Sequence, residues 1–138
     1  MIHVLFKLYD CNETLLNDKE FIENLLYESA VECGATFLKT TSHQFDPHGV
    51  TAVCLLAESH ISIHTWPETS QAVCDIFTCG DGADPMKAFW YMHNKLECNY
   101  VEYRVIDRES LTLSSLVSHS VPLPEVALEP CLSSPAVL

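Results

Sequence analysis

Basic side chains are scarce in this sequence: seven Lys and Arg stand against nineteen Asp and Glu, a formal net charge of −12. No Lys/Arg cluster interrupts that balance, so a phosphate backbone would be repelled and nucleic-acid binding is not expected. A surface so acidic suits a cationic small molecule, or serves only to keep the chain in solution. Long apolar runs are missing too. None approaches the roughly 18–20 residues of a membrane span, and MIHVLFKLYD has no basic stretch leading into an apolar one, so a cytoplasmic protein without membrane contact is expected. The seven cysteines, Cys11, Cys33, Cys54, Cys74, Cys79, Cys98 and Cys131, are odd in number and never spaced as CxxC. They suggest neither a disulfide framework nor a zinc ribbon, and Cys54 and Cys98 read as small core residues. Internal repeats are absent.

What remains is a composition able to form one modest core, 48% hydrophobic and 19% charged. Residues 2–9 alternate Ile2, Val4, Phe6 and Leu8 with His3, Leu5, Lys7 and Tyr9, the pattern of a strand with one face buried. Asn17 followed by Glu20 resembles a capping box, and Phe21, Ile22, Leu25, Leu26 and Ala30 continue a helical stripe that stops at Gly34. Residues 36–44 and 50–57 read as strands around the Asp46-Pro47-His48-Gly49 turn. A further strand follows Ser59. Trp66 and Pro67 open a loop, residues 74–78 form another strand, and Asp84-Pro85 start a helix carrying Ala88, Phe89, Met92 and Leu96. Residues 99–107 alternate as a last strand. After Arg108 the chain loses Lys and Arg altogether and gains four prolines, so residues 109–138 read as a Ser/Pro-rich tail on a domain of residues 1–108.

The stretch that carries chemistry is LLAESHISIHTWPETSQAVCDIFTCG, in which an apolar strand delivers Glu58-Ser59 to the start of another. A serine at a junction of buried strands is well placed where backbone strain is stored. Three chemistries compete. A metal site could use His60 and His64, but in an extended strand they stand about 13 Å apart on one face, at about 3.3 Å per residue, and no metal centre is expected from them. A serine hydrolase would want a GxSxG elbow, which Ser59 lacks. In the third, a strained serine attacks the preceding carbonyl, and the resulting ester eliminates and hydrolyses to a pyruvoyl group. Hydroxyl, imidazole and thiol groups must stand nearby, and Thr51, His60, His64 and Cys79 lie in plausible neighbouring strands.

The segments AESHISIHTWPE and DIFTCGDGADPMKA, with LYDC near the start and HQFDPHGVTAV between, closely resemble the bacterial and archaeal S-adenosylmethionine decarboxylase proenzymes. The resemblance implies a two-layer α/β sandwich, an antiparallel sheet with helices on one face, paired as a homodimer with active sites at the interface. It also implies cleavage between Glu58 and Ser59 into a β chain of residues 1–58 and an α chain of residues 59–138, with Ser59 becoming the pyruvoyl cofactor. His64 matches the processing histidine and Cys79 the catalytic proton donor. Phe45 and Trp66 fall where the family contacts adenine, and Glu68 where a carboxylate holds the ribose hydroxyls. The substrate amine would form a Schiff base with the pyruvoyl carbonyl, which draws off the electrons released with CO2. The product is the aminopropyl donor for spermidine. Two departures stand out: Thr51 replaces a usual serine, and Thr69-Ser70-Gln71 replaces Tyr-Gly-Tyr. The second leaves an arginine or ornithine decarboxylase of the same family as an alternative, beside a processing-dead homologue that only binds a partner.

Overall fold

The computed structural model describes residues 1–79 and 82–110. Six strands form one sheet: β1 (Ile2–Tyr9), β2 (Phe37–Gln44), β3 (Val50–Leu56), β4 (Ser59–Trp66), β5 (Gln71–Thr78) and β6 (Tyr100–Asp107). They lie in the order β2-β3-β4-β5-β1-β6, every neighbouring pair antiparallel. Helices α1 (Glu13–Leu16), α2 (Lys19–Glu32) and α3 (Pro85–Lys95) complete the described elements, with a 3-10 turn over Pro67–Thr69. The expected two-layer sandwich is present. Of the Ser/Pro-rich tail expected over residues 109–138, residues 111–138 lie outside the described ones, as does Cys131.

Alternation along the strands decides which face the helices cover. Val4, Phe6 and Leu8 of β1, Ala52, Cys54 and Leu56 of β3, Ile61 and Ile63 of β4, and Cys74 and Ile76 of β5 are buried. Against them pack Ile22, Leu25, Leu26 and Ala30 of α2 and Ala88, Phe89 and Met92 of α3. Phe89 lies 4.9 Å, ring to ring, from both Phe6 and Tyr103, so one helical aromatic joins β1 to β6. Each such large side chain contributes about 1.5–3 kcal/mol by leaving water. The opposite face carries no described helix and exposes Leu5, Leu55 and Val73 among its polar groups.

Local signals explain most boundaries. Asp84 accepts the Met86 N–H and Pro85 follows at the first helical position, as expected from sequence. The start of α2 differs: Asp18, not Asn17, is its cap and accepts the Phe21 N–H. Asn17 instead ends the short α1, and its side-chain oxygen takes the Gly49 N–H and the Gln44 amide. At the other end of α2, Gly34 (φ +77°) sends its N–H to Val31 while Ala35 bonds Ala30. That pair of bonds is a left-handed helix stop, which glycine enters without steric cost. No helix among the described residues is long and apolar enough to cross a membrane.

Candidate active site

Strands β3 and β4 are joined by only Ala57 and Glu58, with Leu56 paired to Ser59 across the turn. Tight hairpins of this length favour positive φ at the first or at both turn residues, supplied by Gly, Asn or Asp. Here Glu58 alone is positive, at φ +74°, a conformation costing an ordinary L-residue about 1–2 kcal/mol. The surroundings hold it there. Ala57 donates its N–H to Thr36 O at 2.8 Å, and the Cys79 thiol donates to the Glu58 carbonyl oxygen at 2.6 Å. Strain and a proton donor therefore meet at the one carbonyl that Ser59 would attack.

Cys79 reaches this position because β5 lies beside β4 and ends at Thr78, one residue before it. Ser59 opens β4 as a half-buried residue, with the two hairpin residues between it and β3. The expected constellation of Glu58, Ser59 and Cys79 is thus brought together.

Thr51 and His64 are brought together as well, but elsewhere. They face each other across β3 and β4, and Thr51 Oγ1 and His64 Nδ1 share a hydrogen bond of 2.9 Å. His64 is five residues along β4 from Ser59, about 16 Å at 3.3 Å per residue, and alternation points the two side chains to opposite faces. At the His64 end stand the remaining expected residues. Trp66 closes β4 with its ring 6.5 Å from that of His64, and Phe45 follows β2 with its ring 4.7 Å from His43, which itself pairs with Thr51. Phe45 is 48% exposed and Trp66 44%, so core packing does not account for either ring. Glu68, on the 3-10 turn, lies 3.1 Å from His48 Nε2. One chain therefore holds the expected residues as two separate groups at opposite ends of the β3–β4 hairpin.

A cavity of about 840 Å³ opens on the uncovered sheet face, lined by residues including Ser62, His64, Asp75, Tyr100 and Arg104. Its volume is in the range of small-molecule sites. A second, of about 760 Å³, lies under Glu68 and His48, with Glu13, Asp18 and Glu20 on its walls.

Two groupings escaped the sequence reading. Burial raises Asp75 toward protonation, but hydrogen bonds from Ser62, His3 and His60 outweigh it and hold the carboxyl below the usual range. The sulfurs of Cys11 and Cys98 lie 2.9 Å apart in the core. Alternation puts His3 and Asp75 on the uncovered face, but β1 and β5 pair over a separation of 72 residues, which no local pattern reveals.

The described fold is thus a two-layer α/β sandwich whose β3–β4 hairpin sets the carbonyl of a residue at positive φ against a thiol. Comparisons with known proteins narrow it. The profile of the S-adenosylmethionine decarboxylase family matches residues 2–109. The S-adenosylmethionine decarboxylase proenzyme of Clostridium tetani is 42% identical over 106 residues, 77% of this chain and 84% of that protein. The proenzyme of Synechococcus sp. WH7803 is 44% identical over 108 residues, 78% of this chain and 84% of that one. The crystal structure of the adenosylmethionine decarboxylase from Aquifex aeolicus VF5 superposes with a TM-score of 0.71 at 34% identity, covering 80% of this chain and 96% of that one. This chain belongs to the S-adenosylmethionine decarboxylase family.

Proposed function

We propose that the chain cleaves itself between Glu58 and Ser59 and then, as a cytoplasmic enzyme, decarboxylates S-adenosylmethionine to the aminopropyl donor of spermidine synthesis. The observation that carries this is the Cys79 thiol, 2.6 Å from the carbonyl oxygen of a residue held at φ +74°. In cleavage, Ser59 Oγ adds to the Glu58 carbonyl carbon as its oxygen gains negative charge, which the Cys79 S–H stabilises. The C–N bond to Ser59 then breaks and leaves an ester. Removal of the Ser59 α proton expels the Glu58 carboxylate, and hydrolysis of the remaining enamine releases ammonia. Residue 59 ends as a pyruvoyl group, whose carbonyl supplies the electron sink for decarboxylation. The site fits that group, since Ser59 becomes the end of a chain beside a thiol able to return a proton to the substrate carbon.

His64 enters from a second copy. No side chain spans the distance between Ser59 and His64 along one strand, whereas packing two uncovered sheet faces about a two-fold axis that runs across the strands sets the His64 end of one protomer over the β3–β4 turn of the other, on the side of the Glu58-Ser59 peptide opposite the Ser59 side chain. The exposed Leu5, Leu55 and Val73 on that face support such a homodimer. In the composite site Thr51 and His64 exchange protons during cleavage, Phe45 and Trp66 stack on adenine, and Glu68 accepts the ribose hydroxyls. A nucleoside is favoured over arginine or ornithine because neither amino acid has a base for two exposed rings to hold.

Purified protein should separate into chains of residues 1–58 and 59–138 on a reducing denaturing gel, while Ser59→Ala stays whole. The cleaved preparation should release CO2 from carboxyl-labelled S-adenosylmethionine faster than from labelled arginine or ornithine. An intact wild-type chain after long incubation overturns the processing reading, and faster release from either amino acid overturns the substrate.

A further inference from the structure

The uncovered face of the sheet holds a second convergence of chemical groups near the Ser59 end, none of which has a part in the cleavage or substrate binding proposed above. His3 on β1 and His60 on β4 are both cross-strand partners of Phe77 on the intervening β5. They stand on either side of that ring, at 5.5 and 6.0 Å between centroids, with their own rings 6.1 Å apart and nearly perpendicular. Two residues back along β5, Asp75 shares their face. His3 Nε2 lies 2.8 Å and His60 Nε2 2.6 Å from the same Asp75 oxygen, Oδ2. The other oxygen accepts a hydrogen bond from Ser62, the residue paired with Asp75 across β4 and β5. None of the three side chains is more than 35% exposed.

We propose that His3, His60 and Asp75 bind one divalent transition-metal ion of the zinc class per chain. Their ligand atoms already lie within 4.8 Å of one another, on three strands whose hydrogen bonding fixes the backbone. Two imidazole nitrogens and one carboxylate oxygen suit zinc, with water at the fourth position, and disfavour the all-oxygen sites of magnesium and calcium. Zinc–ligand distances of about 2.0–2.2 Å put tetrahedral ligands about 3.4 Å apart. The present 2.6 and 2.8 Å contacts must therefore open by less than about 1 Å, within reach of a small turn of the Asp75 side chain.

The ion takes the place now held by ring protons. Each histidine presents Nε2 as a lone pair and moves its proton to Nδ1, so metal and hydrogen ions compete and affinity falls on acidification. Ser62 keeps its hold on the second carboxylate oxygen, the outer support that ligating carboxylates commonly have. His60 follows Ser59 directly, so an occupied site ties the first turn of β4 to β1 and β5. The spacing that argued against a metal at His60 and His64 is no obstacle, because the partners of His60 come from other strands.

Cobalt(II) titrated into the full chain at neutral pH reads the site directly. One equivalent should bring up the intense visible bands of four-coordinate cobalt, and zinc should abolish them. His3→Gln, His60→Gln and Asp75→Asn should each weaken binding at least tenfold to a hundredfold, with circular dichroism confirming the fold, while His48→Ala should bind as wild type. Absence of four-coordinate bands in the wild-type chain overturns the proposal. So does unchanged binding in His60→Gln and Asp75→Asn with loss only in His3→Gln, which would assign the metal to the amino terminus and His3. None of these readings depends on cleavage or turnover, so they stand apart from the fate of the decarboxylase reading.

Discussion

Replacing Cys79 tests the central contact, because its thiol is the group seen donating to the Glu58 carbonyl oxygen. Removing one donor from an oxyanion site built of amide groups costs about 2.7–4 kcal/mol. A thiol is a weaker donor, and half of that figure, about 1.4–2 kcal/mol, corresponds to a slowing of about ten- to thirtyfold. Cys79→Ala should therefore cleave, but at a tenth of the wild-type rate or less. Cys79→Ser keeps a hydroxyl donor on a shorter bond and should fall between the two. The measurement is the fraction of uncleaved chain on reducing gels, sampled from the end of synthesis onward. Once cleaved, Cys79→Ala should also lose turnover, because the proton that replaces CO2 on the substrate carbon has lost its source. Wild-type cleavage rate in Cys79→Ala would mean that the 2.6 Å contact does not polarise the carbonyl, and the reasoning from strain and donor together would fail.

Three further outcomes follow from particular residues. Ser70 sits in the left-handed region at φ 53° and ψ 38°, so Ser70→Gly should raise stability by about 0.5–1 kcal/mol in urea unfolding, even after losing the exposed bond to Glu13; a lower midpoint would contradict the strain argument. Cys11 and Cys98 lie on opposite sides of the expected cleavage point with sulfurs 2.9 Å apart, so diamide, which takes up the two thiol hydrogens, should join the cleaved chains into one band that reductant splits. The bond to Cys11 and burial both push the Cys98 thiol up and slow the step, but two separate bands without reductant would rule the link out. Asp75, held low by its three donors, contributes stability that is present above about pH 4 and is lost as pH falls through its lower folded value, so Asp75→Asn should flatten the acid limb of the stability profile.

How much of this was legible depended on how local each signal was. The alternation of residues 2–9 and the Asp84-Pro85 start marked β1 and α3 because the pattern and the cap both lie within a few residues. The four residues of α1 are too few to show a period, and missing that helix moved the start of α2 to Asn17. Strand β5 begins at Gln71, three residues before the expected start at Cys74, because Gln71 and Ala72 already pair with Trp66 and Thr65 across β4, a contact no local pattern shows. Pairing follows the same rule. A two-residue turn at Ala57 and Glu58 fixes every later partner on β3 and β4, so Thr51 opposite His64 follows from arithmetic once the turn is known. Cys79 beside Glu58 does not follow from any such count, since it depends on β5 returning against β4 after the Pro67–Thr69 turn. The His3, His60 and Asp75 grouping needs the closure of β1 on β5 and is further still from any sequence pattern.

The two departures from the family pattern act on different quantities. Thr51 keeps its hydroxyl on His64 Nδ1 at 2.9 Å, so the extra methyl has not turned the oxygen away from its partner. A β-branched side chain is stiff about its first torsion, and a hydroxyl fixed toward the imidazole loses little more freedom when it acts. The methyl is therefore no obstacle to the proton exchange proposed for Thr51 and His64. Ser70 is another matter, because it occupies the left-handed backbone that the family's glycine would adopt freely, and the chain keeps the turn at a cost in stability. That turn follows directly on Glu68, which keeps its carboxylate beside His48, and Gln71 resumes pairing opposite Trp66. The substitution therefore weakens the support of the proposed nucleoside end while leaving Phe45, Trp66 and Glu68 in place, which argues for a changed stability before a changed substrate.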